Sequence, residues 1–364
     1  MSDPNGPQPS RTTRSDQVQR RWRTQGIIAG VVIAAILLAI VVTRSGDDDP
    51  QASATPTGSG SATIATEPAD LLALSVTGAP NALLATVGSV GGVPSAALVL
   101  PPEMTVTMPG AGEVTTDALQ DLPGDSMRVG VSNVDGAWNE HYAVIALDRF
   151  GAIVDRVGGL SVDLADAYTV GATLVGPGPT QLSGQQTVAL LQENADDTGA
   201  RWASVLSSFL AAKPSLSPTD LADTDDPQVA AQVLGGGGAH VEMAPTQVVG
   251  GSLLIPAQPS FDELMTQVFG TPVPLRVDVL NGNGEPGVGE AVGAQLIPAG
   301  FRVVLSENAD TFDHQTTDIV ADGTEHEQAA QTVKDALGVG KVIVSSIASG
   351  LADVTVTVGK DYHP

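Results

Sequence analysis

The sequence contains no cysteine. Disulfides, thiolate metal sites and a cysteine nucleophile are therefore excluded. Aromatic residues make up 3% of the 364 residues, against 42% apolar residues in all. Buried cores must then be assembled from Val, Leu, Ile and Ala. Cations are the third scarcity. Of 16 Lys and Arg, six (Arg11, Arg14, Arg20, Arg21, Arg23 and Arg44) fall in the first 44 residues, with only Asp3 and Asp16 among the 41 acids. The remainder is left with 10 cations and 39 acids, a net of −29. Such a surface repels nucleic-acid phosphates, so no nucleic-acid partner is expected. It also repels anionic lipid and anionic wall polymer outside a local basic pocket. Ser, His and Asp are all present, but no G-x-S-x-G elbow supports a hydrolase reading. No internal repeat is visible.

What is present begins with an apolar run. Gly26–Thr43 reads GIIAGVVIAAILLAIVVT, 18 residues without a charge. That is enough to cross a hydrocarbon core of roughly 30 Å as a helix. Arg20, Arg21 and Arg23 precede it, and Trp22 suits the membrane interface. The positive flank stays inside. The expectation is a cytoplasmic tail over 1–25, a single transmembrane helix over 26–43 in the plasma membrane, and extracellular domains. A cleaved signal peptide, with ASA at 52–54 as its weak processing site, is the alternative. Residues 44–67 are rich in Ser, Thr, Pro and Gly and read as a flexible linker.

Residues 68–270 form the larger region. Apolar strands are expected at LLALSV, SAALVL, MTVTM, YAVIAL and LSVDL. Helices are expected at Asp148–Val157, stopped by Gly158-Gly159, at Ser183–Gln192 and at Arg201–Ala212. Lys213–Asp226 reads as a Pro/Asp-rich loop and Gly235–Gly238 as a turn. Residues 271–364 form a second unit. Strands are expected at LRVDVL, FRVVLS, DIVAD, KVIVSS and DVTVTV, and helices at Val288–Ala299 and Glu325–Leu337, closed by Gly338. Alternating strands and helices argue α/β for the first, and a small α/β or α+β sheet with two helices for the second.

The segment LNGNGEPGVGE carries Gly282-x-Gly284-x-x-Gly287, with Glu307 about twenty residues on, in the form of a dinucleotide-binding fingerprint. Pro286 and Glu285 oppose that reading, because they stand where a pyrophosphate would approach. The expectation is a glycine-rich strand-to-helix turn. Its backbone donors, facing a helix start, leave a different ligand open.

Tyr142–Leu164 (YAVIALDRFGAIVDRVGGLSVDL) resembles the LytR-CpsA-Psr family at Tyr142, Asp148, Phe150, Val154, Asp155, Gly158, Gly159 and Val162. LSGQQTVALLQ resembles the start of that family's next helix. The C-terminal unit resembles the LytR C-terminal domain at Leu280–Gly284, Gly300–Val303, Asp353–Val354 and Gly359–Tyr362. The resemblance implies a membrane-anchored α/β/α domain that moves glycopolymer from a polyprenyl-pyrophosphate carrier to peptidoglycan. Arginines grip the pyrophosphate with planar, bidentate guanidinium groups. Aspartates hold a bridging divalent cation. This chain departs from that set. Pro102 and Glu103 replace an arginine and an aspartate, VTGAPNA lacks both, and Gln192 and Asn194 stand at two arginine positions. Losing several donors from a phosphoryl-transfer site costs orders of magnitude in rate. No catalytic residue is therefore assigned. Arg128, Arg149 and Arg201 are the residual phosphate-pocket candidates. Asp196 with Asp197, and Asp163 with Asp166, could hold a cation without catalysis.

The implied role is non-catalytic: a scaffold or regulatory partner in wall-glycopolymer attachment, acting with an envelope protein, an active ligase of the family, or the wall polymer. A diverged phosphotransferase using Mg²⁺, and a wall-binding module, are the alternatives. A transcriptional role is opposed by the expected topology and the acidic ectodomain. High Ala, Gly and Val with few lysines suggests a high-GC actinobacterial source. His141, His240, His314, His326 and His363 are scattered; His314 and His326, with Asp313, Asp318 and Glu325, read as a solvated acidic face rather than a metal site. Trp138 and Trp202 read as packing residues rather than sugar platforms.

Overall fold

The computed structural model describes residues 68–78, 83–170, 173–193, 198–346 and 350–363. The apolar run at 26–43, and with it the expected tail, membrane helix and linker, lies outside them. Among the described residues no helix is long and apolar enough to cross a membrane. The described residues of 68–247 and 254–363 cluster as one unit. The short segment 248–253 groups apart from it and turns on Gly250-Gly251, both with positive φ.

Strand β1 (Asp70–Thr77) reads DLLALSVT and is buried along nearly its whole length. A strand with no polar alternation is one covered on both faces. It pairs antiparallel with β2 (Leu83–Val90), which pairs antiparallel with β3 (Val93–Leu100). The next strands are β4 (His141–Ala146), parallel to β1, and β5 (Asp223–Thr224) at one edge. At the other edge β6 (His240–Met243) runs parallel to β3. The sheet order is β5-β4-β1-β2-β3-β6.

Alternate residues of β1 feed two cores. Leu72, Leu74 and Val76 join Phe150, Trp202, Phe209 and Leu190. Leu71 and Ala73 join Met127, Val131, Phe261 and Phe269. The helices therefore divide into two layers. On the second side lie α1 (Gly124–Asp135) and, later in the chain, α6 (Gln258–Phe269). On the first side lie α2 (Leu147–Arg156), α3 (Gly184–Gln192), α4 (Thr198–Ala211) and α5 (Pro227–Gly235). The α/β/α expectation is met by this sandwich. With so few aromatics, Phe150 anchors one core by stacking on Phe209 at 4.7 Å and edge-on to Trp202 at 6.1 Å.

Several residues behind the family resemblance are structural. Asp155 accepts the Gly184 N–H at 2.7 Å. A Cβ on Gly184 would lie 2.0 Å from the Gly151 carbonyl, so α2 and α3 touch backbone to backbone. Ser183 and Gln186 form a capping box at the start of α3, which satisfies two otherwise orphaned N–H groups.

Sequence periodicity passed over α1, α5 and α6. Helix α1 is buried on most of its surface, so it shows no polar face to mark its period; the reason is its position between the sheet and the second domain. The expected loop at Lys213–Asp226 instead contains a 3₁₀ turn at Pro218–Asp220 and strand β5. Helix α4 starts at Thr198, ahead of the expected Arg201.

The second domain has a five-stranded sheet of β7 (Leu275–Asn281), β8 (Phe301–Asn308), β9 (Asp318–Ala321), β10 (Lys341–Val344) and β11 (Val354–Val358). Its order is β8-β7-β11-β9-β10. Helices α7 (Val288–Leu296) and α8 (Glu327–Leu337) supply the rest of its core. Helix α7 stops at Leu296 rather than Ala299, and a 3₁₀ turn at Thr324–His326 precedes α8. At the C-terminus Asp361 accepts from the Thr317 N–H and hydroxyl, and Tyr362 is buried.

Strand β8 is an edge, and an exposed edge invites pairing with other chains. Here the first domain covers it. The Asn133 side chain at the end of α1 accepts from Val303 N–H at 2.7 Å and donates to the Val303 carbonyl at 2.9 Å and the Thr107 carbonyl at 2.8 Å. One side-chain amide thus bonds both polar backbone groups of Val303, as a neighbouring strand would. Thr107 Oγ1 donates to the Val304 carbonyl, and Gly110 N–H to Ser306 Oγ. Arg302, 6% exposed, completes the junction. It donates to the carbonyls of Asn133 and Val134, to Gln258 Oε1 and to Asp262 Oδ1.

Beside this junction Asp135 is 1% exposed. It accepts from Thr86 Oγ1 at 2.6 Å and Asn139 Nδ2 at 2.8 Å. Burial pushes its carboxyl from the ordinary 3.8 up to about 6, although the two hydrogen bonds and nearby Arg302 pull the other way. A folded-state value above the unfolded one means the native protein takes the proton first. Asp135 then costs stability as pH rises from about 4 to about 6, and the cost stays constant above that. Asp135→Asn is expected to stabilise the protein by about 1–2 kcal/mol at pH 7.5, less than the full shift of about 3 kcal/mol because the new amide N–H₂ lacks a partner. The gain should vanish at pH 4.5. Urea unfolding at the two pH values measures it, and equal effects at both would refute the burial account.

Candidate functional site

Strands β1, β3, β4 and β6 point the same way, so their carboxyl ends share one edge of the sheet. In open α/β sheets that edge is the usual place for ligands. Thr77 and Gly78, Pro101-Pro102-Glu103, and Asp148-Arg149 at the start of α2 lie there. A Cβ on Gly199 would lie 3.3 Å from Met243 Sδ and 3.8 Å from Pro101, which brings the start of α4 to the same edge. Asn194, Asp196 and Asp197 lie outside the described residues.

The three candidate arginines are not brought together. Arg149 is exposed on the first turn of α2. Arg201 is 2% exposed and turned inward. Its guanidinium donates to the Leu190 carbonyl at 2.6 Å, the Glu193 carbonyl at 2.8 Å and Thr198 Oγ1 at 3.1 Å, and sits 5.3 Å from the Tyr168 ring. It caps the last carbonyls of α3, groups that a helix end leaves without partners. Arg128 belongs to α1, on the opposite side of the sheet from α2 and α4. Of the other cations in this domain, Arg156 pairs with Asp220 at 2.7 Å and Lys213 is exposed.

The glycine-rich loop is closed on itself. Gly282 N–H donates to the Val358 carbonyl, Gly284 N–H to Asn281 Oδ1, and Glu285 N–H to Asn283 Oδ1. Donors spent in this way are not available to cradle a phosphate. The glycines answer to sterics. A Cβ on Gly282 would lie 2.8 Å from the Val358 carbonyl oxygen, and one on Gly284, with φ +78°, 3.1 Å from Phe312. Gly287, with φ +81°, is the N-cap of α7. Gly284→Ala is expected to destabilise the ligand-free protein by about 1–2 kcal/mol. Denaturant unfolding tests this; a loop built for a ligand would leave the ligand-free stability nearly unchanged.

Arg128 and Gly287, on different domains, do meet. They line one open cleft of about 370 Å³ with Asp125, Val129, Trp138 and Glu290. Arg128 donates to Asp125 Oδ1 at 2.7 Å and to the Glu140 carbonyl at 3.0 Å. Its guanidinium stands 4.9 Å from the Trp138 ring and 5.6 Å from that of Tyr142. Glu290 accepts from Ser126 Oγ. Trp202 is a core residue, as expected, whereas half-buried Trp138 borders this cleft. Sequence reasoning singled out Arg128 and Gly287 but not Asp125 or Glu290, whose approach depends on the docking of α7 against α1.

The histidines are engaged separately. His141 Nδ1 lies 2.8 Å from Asp225, His240 Nε2 2.6 Å from Glu242, and His326 Nδ1 2.8 Å from the Asp322 carbonyl. Among the described residues no three His, Asp or Glu side chains gather at metal-ligand spacing.

No curated protein matches the chain. Among solved structures, a transcriptional regulator of Enterococcus faecalis aligns at 14% identity and TM-score 0.45, covering 54% of this chain and 85% of that one. TagT of Bacillus subtilis aligns at 14% and 0.44, covering 56% and 92%. TagU of Bacillus subtilis aligns at 11% and 0.42, covering 56% and 96%. Residues 274–362, the C-terminal domain, match the family model described as LytR cell envelope-related transcriptional attenuator.

Proposed function

We propose that this protein is a non-catalytic component of wall-glycopolymer attachment, held at the outer face of the plasma membrane by Gly26–Thr43. One observation carries the non-catalytic reading: Arg201, one of the three residual phosphate-pocket candidates, is engaged in capping α3. At the carboxyl edge of the sheet Arg149 is an exposed guanidinium that follows Asp148 directly in sequence, and exposed Glu103 lies on the same edge. One cation among acids does not offset a pyrophosphate leaving group, whose stabilisation needs several convergent donors. The LytR_C domain supports an envelope setting, and the apolar run with three preceding arginines supports the anchor. The partner in this reading is an envelope protein or an active ligase.

Calorimetric titration of the full chain in detergent with a polyprenyl pyrophosphate, with and without Mg²⁺, tests the reading. No heat of binding is expected. Micromolar binding that requires Mg²⁺ would establish a surviving clamp and return the diverged phosphotransferase built on Arg149. Resistance to alkaline carbonate extraction, together with external protease sensitivity of residues beyond 44, checks the anchor and its orientation.

A further inference from the structure

The cleft between α1 and α7 has the features of a small-molecule site, and its lining indicates the chemistry it would take. Its volume of about 370 Å³ lies at the lower end of ligand pockets, roughly 300–1,000 Å³. The apolar part of the lining is Trp138, Val129, Ala291 and Ala294. The rim carries planar polar groups held in place by other contacts. Arg128 is fixed by Asp125, by the Glu140 carbonyl and by the two rings beside it. Glu290 is fixed across the domain junction by Ser126.

An apolar floor with fixed donors and acceptors at its rim matches a pyranose ring, which presents C–H groups on its faces and hydroxyls around its edge. Aromatic side chains supply such a floor at low entropy cost. Charged planar groups make the stronger hydrogen bonds to hydroxyls. The lining holds two acids against one arginine, and the surrounding chain is strongly acidic, so a phosphate-bearing unit is repelled. We infer that this cleft binds one or two rings of an uncharged saccharide, contacted from both domains at once. The inference rests on the wall-glycopolymer reading for its setting, but the cleft is distinct from the carboxyl edge where a carrier pyrophosphate would lie. Trp138, taken from sequence as a packing residue, becomes its floor.

Saturation-transfer NMR on the full chain, with a soluble N-acetylglucosamine tetramer and a glucose tetramer as probes, provides the test. Saturable binding of at least one is expected. Trp138→Ala should weaken it by tenfold or more and Glu290→Gln several-fold. Because Trp138→Ala can disturb folding, Ala294→Trp serves as a second variant that fills the cleft from the α7 side while leaving α1 intact. Circular dichroism confirms the fold of each. Absence of binding by both tetramers, binding unchanged in the folded variants, or tighter binding of a phosphorylated glycan would each overturn the proposal. Its failure leaves the non-catalytic reading standing, since polyprenyl-pyrophosphate titration decides that separately.

Discussion

Replacing Arg302 by methionine is expected to lower stability by about 3–5 kcal/mol, the usual consequence of removing one partner of a buried charge pair. The substitution strips hydrogen bonds from the carbonyls of Asn133 and Val134 and leaves Asp262 without its cation. Methionine keeps the length of the side chain, so lost packing is a minor part of the effect. At roughly 2–4 °C per kcal/mol for a domain of 150–250 residues, the melting midpoint should fall by about 10 °C. Calorimetry should also change in form. The junction joins the two domains, so the native protein is expected to melt in one transition and the variant in two. Asn133→Ala attacks the same junction from the other side by unpairing Val303. The double variant should cost clearly less than the two single losses combined, because the residues share one network. A loss under about 1 kcal/mol for Arg302→Met would show that the domains stand independently.

Arg201 yields the second large effect, and it separates structure from chemistry. Arg201→Met should destabilise by about 2–4 kcal/mol, because it leaves the Leu190 and Glu193 carbonyls at the end of α3 unpaired and buries no replacement donor. Arg201→Lys keeps the charge but not the planar fork that reaches both carbonyls, so it should recover less than half of that loss. A residue retained for a phosphate ligand would behave differently: lysine would preserve ligand-free stability and alter binding. Thermal unfolding of the two variants without ligand therefore decides between a cap and a clamp. Two variants within 0.5 kcal/mol of the native protein would refute the capping role.

The carboxyl edge of the first sheet and the cleft differ in how far they could be read from residue order. Loss of the arginine set was visible directly, because Pro102, Glu103 and Gln192 stand where the resemblance expects charged groups. The inward turn of Arg201 was not, since an arginine near a helix start reads the same whether it faces solvent or the preceding helix. The glycine loop posed the opposite problem. Its spacing imitates a nucleotide fingerprint, and only the partners of Gly282, Gly284 and Glu285 show that its donors are already bonded.

By itself the sequence determined the alternation of strands and helices, the cysteine-free aliphatic cores, the acidic surface and the stops at Gly158-Gly159 and Gly338. These are set by local backbone preference, side-chain period and charge, which act over a few residues. Tertiary structure alone decided that α1 is a helix covered on both sides, that Asn133 pairs with the edge of β8, and that Asp125, Arg128 and Trp138 face Glu290 across a cleft. Ser126 and Glu290 are 164 positions apart and Asn133 and Val303 are 170 apart. A contact over that separation depends on how two sheets and the helix between them pack, and no local pattern records it.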